Sequence, residues 1–466
     1  MYPGHIGAQH MRTGPWYGNF PREVMLARYT YGTEQVPPYE AVPPPEVVMH
    51  GEYLRRQGYY CTNNPKEDYQ FYCPLTAWDE RGNQAHWRNR TPGQPFFSIF
   101  NLAVTHESQI WARGKDSLWV DEDLDVPVPP YLPTTEKAVQ DVRRMYSNIK
   151  IMDHQVGELL AELEAANLMD STIIFWYTDH GGPLPRQKRL CYDSGLRLPM
   201  IVRFPGKKHA GEVDDRLISF IDFLPTLLSL TGQKPPEYLD GQAFLGEYAA
   251  APRTYIHGAA DRFDAKYDKI RAVRDQRYKY LRNFNLDQPY YLPVSYREQM
   301  PIMQELLRLK EEGKLDEYQA QWFRETKVPE ELFDTENDPH ELHNLAEDPA
   351  YSEKLTELRT ECDRWLQAID DKGLLEEPEF LKRIWPDGTQ PMTARPEVSI
   401  KTGKAVVSSA TEGATLAYQI VAENETLQDR WDVYTGPISI KDGESVYAVA
   451  QRIGYLRSDT AVVSSP

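Results

Sequence analysis

The stretch TIIFWYTDHGG at residues 172–182 decides the fold class. An apolar run rich in β-branched and aromatic residues stops at an acid, an imidazole and two glycines, which predicts a buried strand followed by a sharp turn. In α/β proteins, ligands bind just beyond the carboxyl ends of the strands. We therefore interpret Asp179 and His180 as candidate metal ligands, although an isolated Asp-His-Gly is more often an ordinary polar turn.

Strands and helices alternate on both sides of this stretch. Residues 95–102 and 199–204 are short apolar runs that predict strands, and the first of them leads to a polar segment containing His106. Apolar residues recur every three or four positions over 142–163, which predicts a long amphipathic helix, and 222–228 predicts a shorter one. This alternation indicates an α/β fold, with a mostly parallel sheet sandwiched by helices.

A basic segment follows the acid and the imidazole. Arg186, Lys188 and Arg189 lie within ten residues of Asp179, and a lysine at this place can hold an anionic oxygen as a point charge. A solvated basic loop is the alternative interpretation.

The composition argues against several kinds of binding partner and site. The 466 residues carry a formal net charge of −18, which argues against nucleic acid because phosphate binding needs a basic surface. No run of about 18 apolar residues predicts a membrane span, and the four cysteines have no metal-site spacing. The N-terminal residues lack the pattern of a signal peptide, and the sequence leaves the compartment and the oligomeric state open.

The chain predicts three domains. Residues 1–252 contain the alternating strands and helices, and residues 253–388 contain short strands and charged helices that predict a small α+β subdomain. A proline-bearing linker leads to residues 396–466, whose alternating polar and apolar pattern with frequent turn signals predicts a small all-β sandwich.

Several motifs in order resemble the sulfatase family of the alkaline phosphatase superfamily, which includes arylsulfatases and heparan N-sulfatases. The similarity covers about residues 1–385 and is carried by the motifs DHQVG at 153–157, TDHG at 178–181, YDSG at 192–195, RFPGK at 203–207, DFLPT at 222–226, YLDG at 238–241 and ELFD at 331–334. Residues 396–466 resemble the C-terminal β-sandwich of chitobiase-type proteins. For this tail, carbohydrate contact, domain spacing and a passive appendage all remain open.

The resemblance implies hydrolysis of a sulfate ester of a glycan or a small molecule. In the family, a cysteine or serine converted to formylglycine attacks sulfur, and one Ca²⁺ ion supports the nucleophile and the sulfate. By position, Asp179 and His180 match metal ligands, and the imidazole is the less usual calcium ligand of the two. Lys188, His106 and Lys66 match the catalytic residues that contact the sulfate. Asp68 stands where the family has a histidine, so its role is open.

One part of the family pattern is missing from the 466 residues. The nucleophile motif Cys/Ser-x-Pro/Ala-x-Arg and the strand with paired metal-binding aspartates do not occur, and Cys73-Pro74 has the wrong spacing. Residues 1–7 resemble the segment that follows the motif, so the resemblance implies an N-terminally truncated sulfatase with an incomplete calcium site and no formylglycine. We expect this chain alone to be inactive. A phosphodiesterase or phosphonate hydrolase of the same superfamily and a non-catalytic glycan-binding relic remain alternatives.

Overall fold

The computed structural model describes residues 39–40, 42–67, 69, 71–263 and 266–465. The expectations for the N-terminal loop and for Asp68 therefore lie outside the described residues. By its contacts the described chain forms two compact units. Unit A contains residues 102–371, and unit B contains residues 39–101 and 372–465. The three predicted domain ranges remain a prediction.

The described helices and strands alternate in the first half of the chain, as predicted. The α-helices are α1 (His50–Arg56), α2 (Ser108–Ala112), α3 (Glu136–Ala165), α4 (Asp193–Leu196), α5 (Phe223–Leu230), α6 (Pro301–Glu311), α7 (Glu317–Gln321), α8 (Ser352–Ala368) and α9 (Glu377–Ile384). The strands of the first half and the middle are β1 (Tyr60–Asn64), β2 (Glu80–Arg81), β3 (Phe96–Phe100), β4 (Ile174–Tyr177), β5 (Met200–Arg203), β6 (Ile256–Phe263), β7 (Lys266–Arg274), β8 (Tyr278–Asn283) and β9 (Glu330–Asp334). The tail contains β10 (Glu397–Lys401), β11 (Lys404–Ser408), β12 (Thr415–Ala422), β13 (Asp432–Val433), β14 (Ile438–Ser439), β15 (Glu444–Gln451) and β16 (Ala461–Ser464).

Unit B contains a parallel sheet with the strand order β2-β1-β3. Tyr60 pairs with Phe96 and Asn64 with Phe100, so β1 and β3 run in register along their whole length. Helix α1 covers this sheet, and its Leu54 packs in one core with Cys61 and Trp78. The polar side chains that follow β1 and β3 consequently leave the sheet at the same edge.

Unit A is built on the long helix α3, which the periodicity of 142–163 predicted with shorter bounds. Its Ile151 and Met152 pack with Val104 and Trp176, so the segment before His106 and strand β4 share one core. Strands β4 and β5 pair antiparallel, with Ile174 opposite Arg203. This differs from the parallel pairing expected for neighbouring strands, because the chain between them folds back instead of crossing over.

The rest of unit A is the predicted α+β subdomain. Strands β6 to β9 form an antiparallel sheet in sequence order. Helix α8 packs on it through Leu358, Cys362 and Trp365. Helix α6 is tied to α3 because the carboxylate of Asp141 accepts a 2.7 Å hydrogen bond from the backbone N–H of Ile302.

The tail is a two-sheet β-sandwich, as the alternating sequence predicted. One sheet has the order β10-β11-β14 and the other β13-β12-β15-β16. Within unit B the sandwich packs on the segment around β1 and β2: the Thr76 and Thr415 hydroxyl oxygens are 2.9 Å apart and buried, and Arg430 Nε lies 2.8 Å from Asp79 Oδ1. The tail thus shares a polar, partly buried interface with the rest of its unit.

Across the described parts of the chain, the structure contains no helix with the length and apolarity that a membrane span requires.

Candidate active site

His106 and Lys188 meet in unit A. The 3₁₀ helix Ala103–Thr105 places His106 just before α2, and the ammonium nitrogen of Lys188 lies 3.1 Å from Nε2 of His106. Because a protonated lysine only donates, Nε2 accepts this hydrogen bond. Nδ1 lies 2.9 Å from the hydroxyl of Ser108 and accepts a 3.3 Å hydrogen bond from the backbone N–H of Ser108. Two of the predicted catalytic residues therefore form one hydrogen-bonded pair.

The side chain of Glu107 contacts the lysine of this pair. Its carboxylate is buried and lies 3.2 Å from the ammonium of Lys188 and 2.8 Å from the guanidinium of Arg189. Burial alone would raise the pKa of Glu107, but the positive charges of Lys188 and Arg189 hold that pKa well below its usual range. Glu107 is therefore ionised at neutral pH and is the buried counter-ion of both cations.

The charges of this cluster do not cancel. Lys188 and Arg189 contribute two positive charges and Glu107 one negative charge. These three side chains consequently have a net charge of +1. A sulfate monoester carries one negative charge, so the cluster is complementary to it in charge.

A tight loop presents Lys188. The backbone N–H of Lys188 donates to the carbonyl of Gly182 at 3.1 Å, which brings the lysine back to the turn that follows β4. Arg186 and Arg189 have positive φ angles of 61° and 77°, so the chain turns sharply on both sides of the lysine.

The two glycines after His180 allow this loop to pack against the turn. A Cβ on Gly181 would lie 2.0 Å from the carbonyl oxygen of Ser194, and one on Gly182 would lie 2.0 Å from the side-chain oxygen of Gln187. The sequence indicated that these glycines let the backbone approach a ligand. In the structure they let it approach residues 187–195.

Asp179 and His180 occupy the predicted position at the end of β4. Nδ1 of His180 is 2.8 Å from the carbonyl oxygen of Gly181 and therefore donates to it. Nε2 of the same ring lies 3.6 Å from Oδ1 of Asp179. The carboxylate and the imidazole are therefore neighbours at this turn.

The calcium expectation can be tested against these donors. Calcium takes six to eight oxygen ligands, and the described residues contain no group of three or more histidine, cysteine, aspartate or glutamate side chains that could hold a metal. Asp179 and His180 supply at most two donors, one of them a nitrogen. The described residues by themselves therefore do not fit a calcium ion, and a metal role for this pair stays a prediction.

Arg186 differs from the other two basic residues of its loop. Its guanidinium lies 4.6 Å from the ring centroid of Tyr131 and 4.1 Å from that of Tyr192. It also donates to the backbone carbonyls of His340 and Glu341 at 2.9 and 2.8 Å. Arg186 is thus a buried structural contact between the loop and the segment that follows β9.

Lys66 lies in unit B, after the cis Asn64–Pro65 bond that ends β1. Its carbonyl accepts a 2.8 Å hydrogen bond from the side-chain amide of Asn63, which fixes the local backbone. Because Lys66 and Lys188 belong to different units, their convergence on one sulfate stays a prediction.

Glu107 and Tyr296 lie at or near this site, and the sequence did not identify either of them. Glu107 was visible as the neighbour of His106 in a polar segment after a strand, but nothing in the sequence showed that its carboxylate is buried between two cations. The ring centroid of Tyr296 lies 6.2 Å from that of His106. No sequence signal connects these two residues, since 189 positions of intervening chain separate them.

Comparisons with known proteins identify the family of this chain. The sulfatase family model matches residues 52–233, and the model of the C-terminal region of N-sulphoglucosamine sulphohydrolase matches residues 186–298. An ulvan-active sulfatase of Formosa agariphila is 48% identical over 500 residues, covering 100% of this chain and 82% of that protein. The chain therefore belongs to the sulfatase family, the sulfuric ester hydrolases of the alkaline phosphatase superfamily, which confirms the resemblance seen in its motifs.

More distant relatives share part of the chain or the fold. Human N-sulphoglucosamine sulphohydrolase is 27% identical over 279 residues, which is 55% of each protein. A solved structure in complex with its substrate D-glucosamine-2-N,6-O-disulfate has a TM-score of 0.50 and 14% identity, and the match covers 72% of this chain and 85% of that one. This likeness confirms the predicted α/β fold.

Proposed function

We propose that this chain binds a sulfate ester of an anionic polysaccharide at the cluster formed by His106, Glu107, Lys188 and Arg189, and that Lys188 and His106 are its catalytic residues. The observation that carries the proposal is the hydrogen-bonded His106–Lys188 pair on a buried glutamate, with a net positive charge. The 48% identity to an ulvan-active sulfatase supports ulvan, or a similar sulfated polysaccharide, as the substrate.

The cluster can perform two parts of the reaction. The ammonium of Lys188 donates to a non-bridging sulfate oxygen and stabilises the negative charge that grows on it. The oxygen that leaves with the sugar needs a proton. We assign the ammonium of Lys188, which Nε2 of His106 holds by a 3.1 Å hydrogen bond, as the donor of that proton, and the lysine becomes a neutral amine when the sugar hydroxyl forms. Glu107 holds the lysine in place.

The family's metal and nucleophile supply the remaining chemistry, namely support of the sulfate and attack on sulfur. Asp179 and His180 are the residues of this chain that we propose for the metal, with the further ligands supplied from elsewhere. Because Cys/Ser-x-Pro/Ala-x-Arg does not occur in the 466 residues, we further propose that these residues alone do not turn over a sulfate ester. An aryl-sulfate assay with added calcium tests this point, and calcium-dependent turnover would contradict it.

Sulfate binding tests the site without requiring turnover. Calorimetric titration of the chain with sodium sulfate should show one site, and Lys188→Gln should weaken it by about tenfold or more, since a hydrogen bond to a charged group contributes about 1.5–3 kcal/mol. Lys115→Gln is the matched control, because Lys115 is an exposed lysine of the same unit. Equal sulfate affinity in wild type and Lys188→Gln would remove the basis of the proposal.

The superfamily alternatives have weaker support. A phosphodiesterase would hydrolyse bis-(p-nitrophenyl) phosphate, and a glycan-binding relic would bind ulvan with no dependence on its sulfate groups. The identity to named sulfatases along the whole chain favours the sulfate ester over both.

A further inference from the structure

An aromatic pair stands beside the His106–Lys188 cluster in unit A. The rings of Trp111 and Tyr296 meet edge to face, with their centroids 5.1 Å apart. The Tyr296 ring also lies 6.2 Å from the His106 ring. His106 is in turn 3.1 Å from the ammonium of Lys188. The two aromatic residues therefore lie next to the residues that we propose to hold the sulfate.

Both aromatic residues lie on backbone segments that the contacts of neighbouring residues hold in place. Trp111 lies on α2 next to the buried Ile110. Tyr296 precedes the 3₁₀ helix Arg297–Gln299, and the buried guanidinium of Arg297 donates to the carbonyl of Leu292 at 2.8 Å while it lies 4.8 Å from the ring of Trp322. The backbone at Tyr296 is thus held by the contacts of its neighbour Arg297.

The Trp111–Tyr296 pair is not fully buried in the hydrophobic core. Tyr296 exposes 38% of its surface, and Trp111 is half-buried. An aromatic pair used only for packing would gain more from full burial, because burial of apolar area supplies most of its stabilisation. A fixed and exposed ring next to an anion site is instead suited to a flat, partly apolar ligand that carries a negative charge.

We propose that Trp111 and Tyr296 form a binding subsite for the sugar ring that bears the sulfate ester. The sulfate would lie on Lys188 and His106, and the C–H face of the pyranose would pack on the exposed aromatic surface. This inference rests on the proposed function, since it takes the His106–Lys188 cluster as the sulfate site. It adds the residues that distinguish a sulfated sugar from free sulfate and from a small alkyl sulfate.

Calorimetry with two probes tests the subsite in the 466-residue chain. The probes are sodium sulfate and sulfated ulvan oligosaccharides. Tyr296→Leu and Trp111→Leu should each weaken the oligosaccharide by about five- to tenfold, the size expected for loss of one stacking contact. Both variants should bind sodium sulfate as the wild type does. Tyr296→Phe keeps the ring and should keep the affinity.

Trp119→Leu is the matched control, because Trp119 is a tryptophan of the same unit with 44% of its surface exposed, packed on His154. Its oligosaccharide affinity should equal that of the wild type. Circular dichroism of each variant verifies that the fold is kept.

The outcomes separate the two proposals. If Lys188→Gln loses sulfate binding while both leucine variants keep full oligosaccharide affinity, the subsite is wrong and the sulfate site stands. If the leucine variants lose sulfate and oligosaccharide equally, the aromatic residues only position His106, and the subsite is again overturned. If Lys188→Gln binds both probes as the wild type does, the proposed function itself fails.

Discussion

The carboxylate of Glu107 lies 3.2 Å from the ammonium of Lys188, although the two residues are 81 positions apart in the chain. This contact joins the segment after β3 to the loop after β4, and it holds the lysine in position. Removing the charge of Glu107 should therefore lower both the stability of the protein and its affinity for the anion.

Glu107→Gln should destabilise the protein by about 3 kcal/mol, because it leaves Lys188 and Arg189 buried without their counter-ion. The same change should weaken sulfate binding, since Lys188 loses the carboxylate that holds it beside His106. Urea unfolding and sulfate calorimetry measure the two effects. Glu158→Gln, at an exposed glutamate of α3, should change neither quantity, and equal behaviour of the two variants would show that Glu107 is not an anchor.

Gly181 and Gly157 form a matched pair for testing the turn after β4. Gly181→Ala should destabilise the fold by several kcal/mol and weaken sulfate binding, because its Cβ would lie 2.0 Å from the carbonyl oxygen of Ser194. Gly157→Ala adds a methyl group in open space on α3 and should stabilise the protein by about 0.5–1 kcal/mol. Thermal unfolding of both variants provides the comparison. A neutral Gly181→Ala would mean that the loop and the turn do not pack as closely as described.

Arg186→Lys should lower the free energy of unfolding by about 2 kcal/mol or more, although the charge is kept. The lysine cannot reproduce the planar guanidinium between Tyr131 and Tyr192 or its two hydrogen bonds to the carbonyls of His340 and Glu341. Arg197→Lys, at an exposed arginine, is the control. Chemical denaturation distinguishes the two, and a loss confined to sulfate affinity would instead make Arg186 a ligand-binding residue.

Asp141 predicts a pH dependence of stability. Burial raises the pKa of its carboxyl from 3.8 to about 7, against the opposing effects of the Ile302 N–H and Arg144. Between pH 4 and 7 the folded protein keeps this proton and the unfolded chain releases it, so the contribution of Asp141 to stability falls as the pH rises through that window. Asp141→Asn removes the dependence. The melting temperature of Asp141→Asn minus that of the wild type should therefore increase from pH 5 to pH 8. A difference that stays constant over this range would contradict the raised pKa.

Thr415→Val tests whether the contact between the tail and the rest of unit B stabilises the fold. The change removes the hydrogen bond between Thr76 and the sandwich, while the Thr76 hydroxyl keeps its bond to Glu52, so it should cost about 0.5–1.5 kcal/mol. Thr426→Val, at an exposed position of the tail, should have no effect. If both variants unfold like the wild type, the sandwich contributes no stability through this contact.

The sequence by itself determined the fold class and the family. The alternation of apolar runs predicted the strands and the long helix, because side-chain periodicity follows from local backbone geometry. The order of the motifs around Asp179, Lys188 and Asp222 predicted a sulfatase, which the comparisons confirmed. The tail was recognised as a sandwich from its alternating pattern and its turns.

Only the tertiary structure decided which polar groups meet. The sequence singled out Lys188 but did not distinguish Arg186 from Arg189, whereas folding places Arg186 between two aromatic rings and Arg189 beside Lys188 on Glu107. It also paired β4 with β5 antiparallel and brought Tyr296 beside His106. Contacts between residues far apart in the chain depend on how whole elements pack, and the local preferences that a sequence displays carry no information about that packing.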